Sequence, residues 1–250
     1  MVDVSHLPEK QRKVSQWLAE EIAIPFDLAS GPLTRLLILR LSTTEHVLLA
    51  SQHHIITDEW SGGVFLREWS MLYEAMTKGA ESPLAPLTFQ YAEFARAEEL
   101  AFAGDTYSQS RRYWRDQLQN VPRLTVPWLG PSHTSGPEAR VLMRINAEMS
   151  QSLRALARAQ GCTLFIVWYA ALLVLFSRLS QQIDFGLGSV AANRDVEGTG
   201  DLLGLFTNRI VLRTDLSGDP TFLEVLRRAG ATAIDAYRHQ AVPFDIVVQD

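Results

Sequence analysis

Residues 46–63 read HVLLASQHHIITDEWSGG. The first nine, HVLLASQHH (46–54), have the composition of a strand, and PLTRLLILRL (32–41) before them reads as another. Ser42-Thr43-Thr44-Glu45 lies between the two, so a hairpin is the simplest connection. After the histidines, Ser61, Gly62 and Gly63 break the chain and offer Ser61 as an N-cap. Phe65, Trp69, Leu72 and Met76 then recur with a helical period. Side chains alternate across a strand, so only one of His53 and His54 can face a given cavity. Leu48 and Ala50 share the face of His54, whereas Val47 and Leu49 share the other. Asp58 falls in the following turn, where a carboxylate more often ties down backbone or an arginine than touches a substrate. Two readings of these residues stand side by side: a catalytic histidine, or a satisfied core histidine beside an Asp-stabilised turn.

Outward from this stretch, the first 24 residues carry Val14, Trp17, Leu18 and Ile22 at helical spacing. Further helical patches fall at 88–102 and 108–118. Residues 119–137, QNVPRLTVPWLGPSHTSGP, hold four prolines and no periodicity. They place a linker at 121–137 between one lobe over 1–120 and a second over 138–250. In the second lobe, ARVLMRI (139–145) reads as a strand. A helix over 149–160 stops at Gly161, because glycine tolerates positive φ after a helix end. Thr163 caps a helix over 164–179 that is too hydrophobic all round to be anything but buried. IDFGLGSV (183–190) and LFTNRIVLRTD (205–215) are strands. Asp219-Pro220 opens a last helix with proline at its first position, and Phe222, Leu226, Ala229, Ala233 and Tyr237 form its inner stripe. His239 falls at that helix's C-terminal end, where the dipole favours it. The class is α/β or α+β, in two lobes.

Composition narrows the function. The chain has 250 residues, 47% hydrophobic and 20% charged, as in an ordinary globular protein. A net charge of −5, with no basic stripe among aromatics, argues against a nucleic-acid partner. Cys162 is the only cysteine, so an intrachain disulfide and a cysteine-based metal site are both ruled out; a small buried hydrophobe is its better reading. His6, His46 and His133 have no partners at ligand spacing, and no metal is expected. The start, MVDVSHLPEK, is not a signal peptide, and the longest apolar run, 164–176, is shorter than the ~18 residues of a membrane span. A cytoplasmic protein with no membrane partner is the expectation.

HHIITDEWS (53–61) resembles the HHxxxDGWS signature of nonribosomal peptide synthetase condensation domains. Further blocks match the family in its order: PFDLASGPLTRLLILRL, LTFQYAEFA with the later YWRDQL, GCTLFIVWYAALLVLFSRLS, GSVAANRD, LLGLFTNRIVLRTDLSGDPTF and HQAVPFDIVV. The resemblance implies two lobes, each a mixed sheet flanked by helices and similar to chloramphenicol acetyltransferase, with a tunnel between them. It implies donor and acceptor peptidyl carrier proteins as partners, a neighbouring adenylation domain, and substrates carried on phosphopantetheine, with no cofactor bound directly. The acceptor amine would attack the donor thioester and form an amide.

In the family's terms His54 is the histidine placed in the tunnel, while His53 and Asp58 are its structural members. Arg194, in AANRD, stands where the family has an arginine paired with that aspartate across the lobes. Glu59, Trp60, Ser61, Gly62, Asn208 and Gln240 fall in blocks that border the substrate channel, although Ser61 and Gly62 are explained equally by helix capping and Asn208 and Gln240 by packing. An α-amine has a pKa near ~7.8, so roughly a tenth is already neutral at pH 7. A base is therefore most useful during attack, when the nitrogen becomes acidic. Positioning of the amine would give a similar gain, so base and positioner both remain open.

Three departures from the pattern stand out. Glu59 replaces the glycine after the motif aspartate, where its side chain could strain the turn or intrude on the channel. Arg209 replaces a small polar residue. The chain also covers roughly the middle half of the family's domain, leaving each lobe incomplete. Asp58-Glu59-Trp60-Ser61 resembles the peptide-bond-forming subtype. The alternatives are a non-catalytic remnant that at most binds a carrier protein, and a stand-alone acyltransferase using a coenzyme A thioester.

Overall fold

The computed structural model describes residues 1–127 and 141–250. They form two compact units, Met1–Ala97 with Arg194–Phe206, and Glu98–Asn193 with Thr207–Asp250. The division therefore falls within the helix Tyr91–Ala103 and not after residue 120. One reason is Trp114, which is buried in the core of the second unit and carries the 108–118 helix with it. Residues 194–206 likewise pack with the first unit although their sequence neighbours belong to the second. Of the expected linker, 128–137 lies outside the described residues.

The first unit is built on a three-stranded mixed sheet. Strands β1 (Val2–Asp3), β2 (Thr34–Arg40) and β3 (His46–Gln52) lie in that order, β1 parallel and β3 antiparallel to β2. The expected hairpin is present, with Thr34 opposite Gln52 and Arg40 opposite His46. Helix α1 (Lys10–Ala23) lays Val14, Trp17 and Leu18 against Leu39, Leu41 and Val4. Ile22, expected on that face, is exposed because the helix ends a residue later. β1 escapes a sequence reading, since two residues carry no periodicity. The first unit continues through helix α2 (Glu59–Thr77) into the start of α3 (Tyr91–Ala103).

The second unit takes the rest of α3, then α4 (Ser108–Leu118), α5 (Ala147–Ala159) and α6 (Leu164–Ser180). It continues with strands β4 (Gly186–Ala191) and β5 (Asn208–Arg213) and helices α7 (Phe222–Arg238) and α8 (Phe244–Gln249). Two of its local signals behave as the sequence indicates: Gly161 takes φ +61°, and Thr163 caps α6 through the Ile166 N–H; Asn146 caps α5, which starts two residues before the expected helix. Leu173, Phe185, Ala229 and Ala236 form the fully buried centre between α6, α7 and the sheet. Leu173 and Phe185 each contribute roughly 1.5–3 kcal/mol of burial. Cys162 is half-buried against the same core.

Four readings need correction here. Among the described residues the second sheet is an antiparallel pair, not mixed. Residues 141–145 form no strand, and Val141, Leu142 and Met143 are exposed; 139–140 lie outside the described residues. α6 is not buried all round, because Phe165, Leu172 and Leu175 face outward. Pro220 precedes the helix cap, which is Thr221, so it sits two residues before the first helical position it was expected to fill. α8 has no counterpart in the sequence reading, six residues being too few to show a period. Among the described residues no single helix is long and apolar enough to cross a membrane.

Candidate functional site

β3 ends at Gln52, so neither histidine of the pair lies on the strand. Strand alternation does not set their directions. A single 3-10 turn over His54–Ile56 does. His53 caps that turn, its Nδ1 accepting the Ile55 N–H at 3.0 Å, and its ring meets Phe26 edge-on at 5.8 Å. A ring nitrogen that accepts carries no proton, so neutral His53 holds its hydrogen on Nε2. His54 is the reverse case. Its Nδ1 lies 2.6 Å from the Thr57 carbonyl, which can only accept. Nδ1 therefore donates, and the neutral ring keeps its lone pair on Nε2. His53 is half-buried, whereas His54 is exposed.

The turn is held from its far end by Asp58. This residue, and not Ser61, caps α2: Oδ1 accepts the Ser61 N–H at 2.8 Å. Ser61, Gly62 and Gly63 consequently lie inside the start of the helix and do not interrupt the chain. Asp58 Oδ1 also accepts from Arg194 Nη2 at 3.1 Å, and Oδ2 accepts the Phe206 N–H at 3.0 Å. Burial pushes the Asp58 carboxyl up, but the bonds from Ser61 and Phe206 and the Arg194 charge outweigh it. The net result lies below the ordinary carboxylate value.

Arg194 is buried as deeply as its partner. Nη1 donates to the carbonyls of Thr199 at 2.5 Å and Leu202 at 2.9 Å, and Nη2 donates to Ser61 Oγ at 2.7 Å. The guanidinium lies over the Phe206 ring, 4.0 Å from its centroid, and Nε makes no hydrogen bond among the described residues. Ser61 Oγ donates to the Gly204 carbonyl at 2.8 Å and accepts the Gly204 N–H at 3.1 Å. The Trp60 indole N–H adds a bond to the Gly200 carbonyl at 2.9 Å, and Arg67 reaches Asp201 at 2.6 Å. The α2 N-terminus and residues 194–206 are thus tied along their length. Because both Asp58 and Arg194 belong to the first unit, their bond is an internal brace and not the tie across lobes that was expected.

Glu59 occupies the first position of α2, with helical backbone and an exposed side chain. It is absent from the positive-φ residues, so it meets no backbone strain, and its charge suits the positive helix end. Asn208 and Gln240 belong to the second unit, His54 to the first. Asn208 Nδ2 donates to the carbonyls of Gln240 and Val242, both at 2.6 Å, while Oδ1 accepts from the Arg209 and Phe244 N–H groups. That set fills the amide's capacity and stitches β5 to the turn between α7 and α8. Arg209 is exposed. His239 ends α7, stacks on Tyr113 at 4.2 Å and shares a 2.9 Å hydrogen bond with Ser110, an arrangement of packing more than of dipole.

This geometry can be set beside known proteins. The family model for the condensation domain matches residues 1–250. The chain belongs to the condensation-domain family. It is 37% identical to chondramide synthase cmdD of Chondromyces crocatus, over 97% of the chain and 6% of that protein. Against phosphinothricin tripeptide synthetase PhsB of Streptomyces viridochromogenes it is 36% identical, over 99% of the chain and 21% of the relative. Among solved structures, the X-domain from teicoplanin biosynthesis superposes with a TM-score of 0.85 at 28% identity, covering 99% of this chain and 56% of that one. The SgcC5 protein from Streptomyces globisporus gives 0.80 at 28% identity, with 99% and 56% covered. The chain spans a small fraction of the curated synthetases it matches and just over half of these solved chains. The chloramphenicol acetyltransferase-like α/β class expected from the sequence is the class these structures share.

Several residues that hold the 53–61 turn in place act in ways no local pattern shows. Thr57 acts through its carbonyl, which no residue pattern advertises. Phe206, Gly204 and Tyr91 act through contacts 100 or more residues away along the chain.

Proposed function

We propose that this chain carries the catalytic histidine of an amide-forming condensation reaction, in which a carrier-bound aminoacyl or peptidyl thioester is passed to an acceptor amine. The observation that carries the proposal is the His54 ring. Nδ1–H is given to the Thr57 carbonyl, so the neutral imidazole has its basic nitrogen free. Nε2 would accept the proton the amine loses as its nitrogen bonds to the thioester carbon. The tetrahedral intermediate then expels the donor thiolate, which takes up a proton, and the amide remains on the acceptor.

A base of this kind supplies typically about 10²–10⁴-fold. Asp58 and Arg194 do no chemistry in this scheme; both side chains are buried and bonded to each other, and they fix the turn that carries His54. In the first turn of α2, Glu59 and Trp60 are exposed and Gly62 is half-buried. The synthetase relatives support carrier proteins and an adenylation domain as partners, with substrates on phosphopantetheine.

The test mixes the protein with one aminoacyl carrier protein as donor and another as acceptor, and reads the acceptor by intact-mass spectrometry. Dipeptide on the acceptor, reduced at least 10²-fold in His54→Ala with an unchanged circular dichroism spectrum, is the expected result. Folded protein that gives no dipeptide above the uncatalysed background would overturn the proposal.

A further inference from the structure

Tyr91 lies well outside the HHIITDEWS turn, yet it presses on the segment that braces it. The hydroxyl donates to the Leu205 carbonyl at 2.8 Å, and the ring meets Phe206 edge-on at 5.0 Å. Between these contacts, the ring runs flush against Gly204. A Cβ at that position would fall 2.1 Å from Tyr91 Cδ2 and 2.6 Å from Cε2, so only glycine fits. Three consecutive residues, 204–206, are therefore seated on one side chain.

The same three residues supply much of what holds Asp58 and Ser61. Gly204 exchanges two hydrogen bonds with Ser61 Oγ. Phe206 gives its N–H to Asp58 Oδ2 and its ring face to Arg194, which in turn bonds Asp58 Oδ1. Phe94 also packs against Phe206, with ring centroids 4.7 Å apart. Asp58 then fixes the α2 cap, and the adjacent Thr57 carbonyl sets the His54 ring through the 2.6 Å bond to Nδ1. An unbroken series of contacts runs from Tyr91 to the imidazole.

We propose that Tyr91 is a positioning residue for His54, seating residues 204–206 so that the Asp58–Thr57 turn holds the imidazole with its hydrogen on Nδ1. This rests on the reading of His54 as the catalytic base, and it adds a residue that touches neither substrate nor the histidine. Because the hydroxyl and the ring act separately, they can be removed separately. Tyr91→Phe keeps the ring seat and loses one bond; Tyr91→Leu loses both.

The experiment measures two things on wild type, Tyr91→Phe and Tyr91→Leu. The first is the His54 tautomer, read from long-range proton–nitrogen NMR of the neutral ring and assigned with His54→Ala. The second is steady-state condensation between carrier proteins. Expected are a dominant Nδ1–H signal in wild type and a shift toward Nε2–H in Tyr91→Leu. With that shift, kcat should fall by roughly 10–100-fold while KM for the acceptor carrier protein stays within about twofold, as misorientation of a reacting group predicts. Tyr91→Phe should restore most of both, within about threefold of wild-type kcat.

A folded Tyr91→Leu that keeps the wild-type tautomer and kcat overturns the proposal. Should that variant fail to fold, Tyr91→Met, which also removes both the ring and the hydroxyl, decides: a measurable drop in the Nδ1–H fraction supports the proposal, and none overturns it. A tautomer shift in a protein that makes no dipeptide at all would leave the positioning role standing and remove the condensation reading. Dipeptide formation indifferent to Tyr91 would do the opposite.

Discussion

The two units are held together by different physics. In the second, an apolar centre of Leu173, Phe185, Ala229 and Ala236 fills the space between α6, α7 and a two-stranded sheet. In the first, the apolar cluster of Val4, Val14, Leu39 and Leu41 is small, and beside it stands a buried polar network: Asp58, Ser61 and Arg194 with the backbone of 199–206. Apolar packing degrades gradually, because each atom contributes little and neighbours relax around a gap. A buried charge network fails abruptly, because removing one member strands the others. The unit that carries His54 is therefore the one whose order depends on a few bonds.

Arg194→Ala is the most severe break of that contrast. It leaves the Asp58 carboxylate buried without its counter-charge, at a cost of roughly 3–5 kcal/mol. Native-state hydrogen exchange should show the loss in the first unit, around β3 and α2, with α6 and α7 protected as before. Leu173→Ala is the matching cut in the second unit, expected to cost about 2–5 kcal/mol by cavity formation. Its loss of protection should centre on α6, α7 and β5. Equal loss of protection across both units in either variant would show that the contrast has no consequence for stability.

Acid should separate the units by pH as well. Burial lowers the His239 pKa, Asp235 opposing and Arg238 adding to the effect. The fold therefore favours the neutral ring, and this contribution is intact above the ordinary histidine value of about 6.5 and lost as pH falls through the lower folded value. Asp58 has a folded pKa below the ordinary carboxylate value, so its contribution is complete above about pH 4 and is lost only as pH falls through that folded value. Denaturant unfolding against pH should show the His239 share disappear first, and only in protein retaining that histidine. In Asp58→Asn the further loss below pH 4 should be smaller than in wild type. If Asp58→Asn and wild type lose stability in parallel down to pH 3, the brace is not what acid breaks.

The sequence is most legible where local rules act alone. The hairpin, the caps at Thr163 and Gly161, and the periods of α2 and α7 follow from nearest neighbours, and the structure has them. It misleads where an element's end decides the outcome. A strand read through His54 runs two residues too far, because histidine is compatible with a strand and nothing in the sequence marks Gln52 as its last residue. Ser61 competes with Asp58 as the α2 cap, since both are good caps and the two glycines after Ser61 suggest a break. The pairing of Asp58 with Arg194 comes from the resemblance alone. A separation of 136 residues leaves no periodic or local trace. The packing of residues 204–206 on Tyr91 is equally invisible, since the sole sign is a glycine among many.

Glu59 offers the smallest and sharpest test of the contrast, because it sits at the margin of the polar brace without joining it. As the first residue of α2 it needs no positive φ, and its charge faces the exposed helix end. Restoring the family's glycine should therefore cost stability, by about 0.5–1 kcal/mol, through backbone entropy and the lost dipole interaction. Dipeptide formation by Glu59→Gly should stay within about threefold of wild type, since no bond to Asp58, Thr57 or His54 is altered. A large gain in kcat would mean that the Glu59 side chain obstructs the reacting groups. A stability loss well above about 1 kcal/mol would mean that the carboxylate belongs to the brace after all, and that the first unit's polar network reaches to its surface.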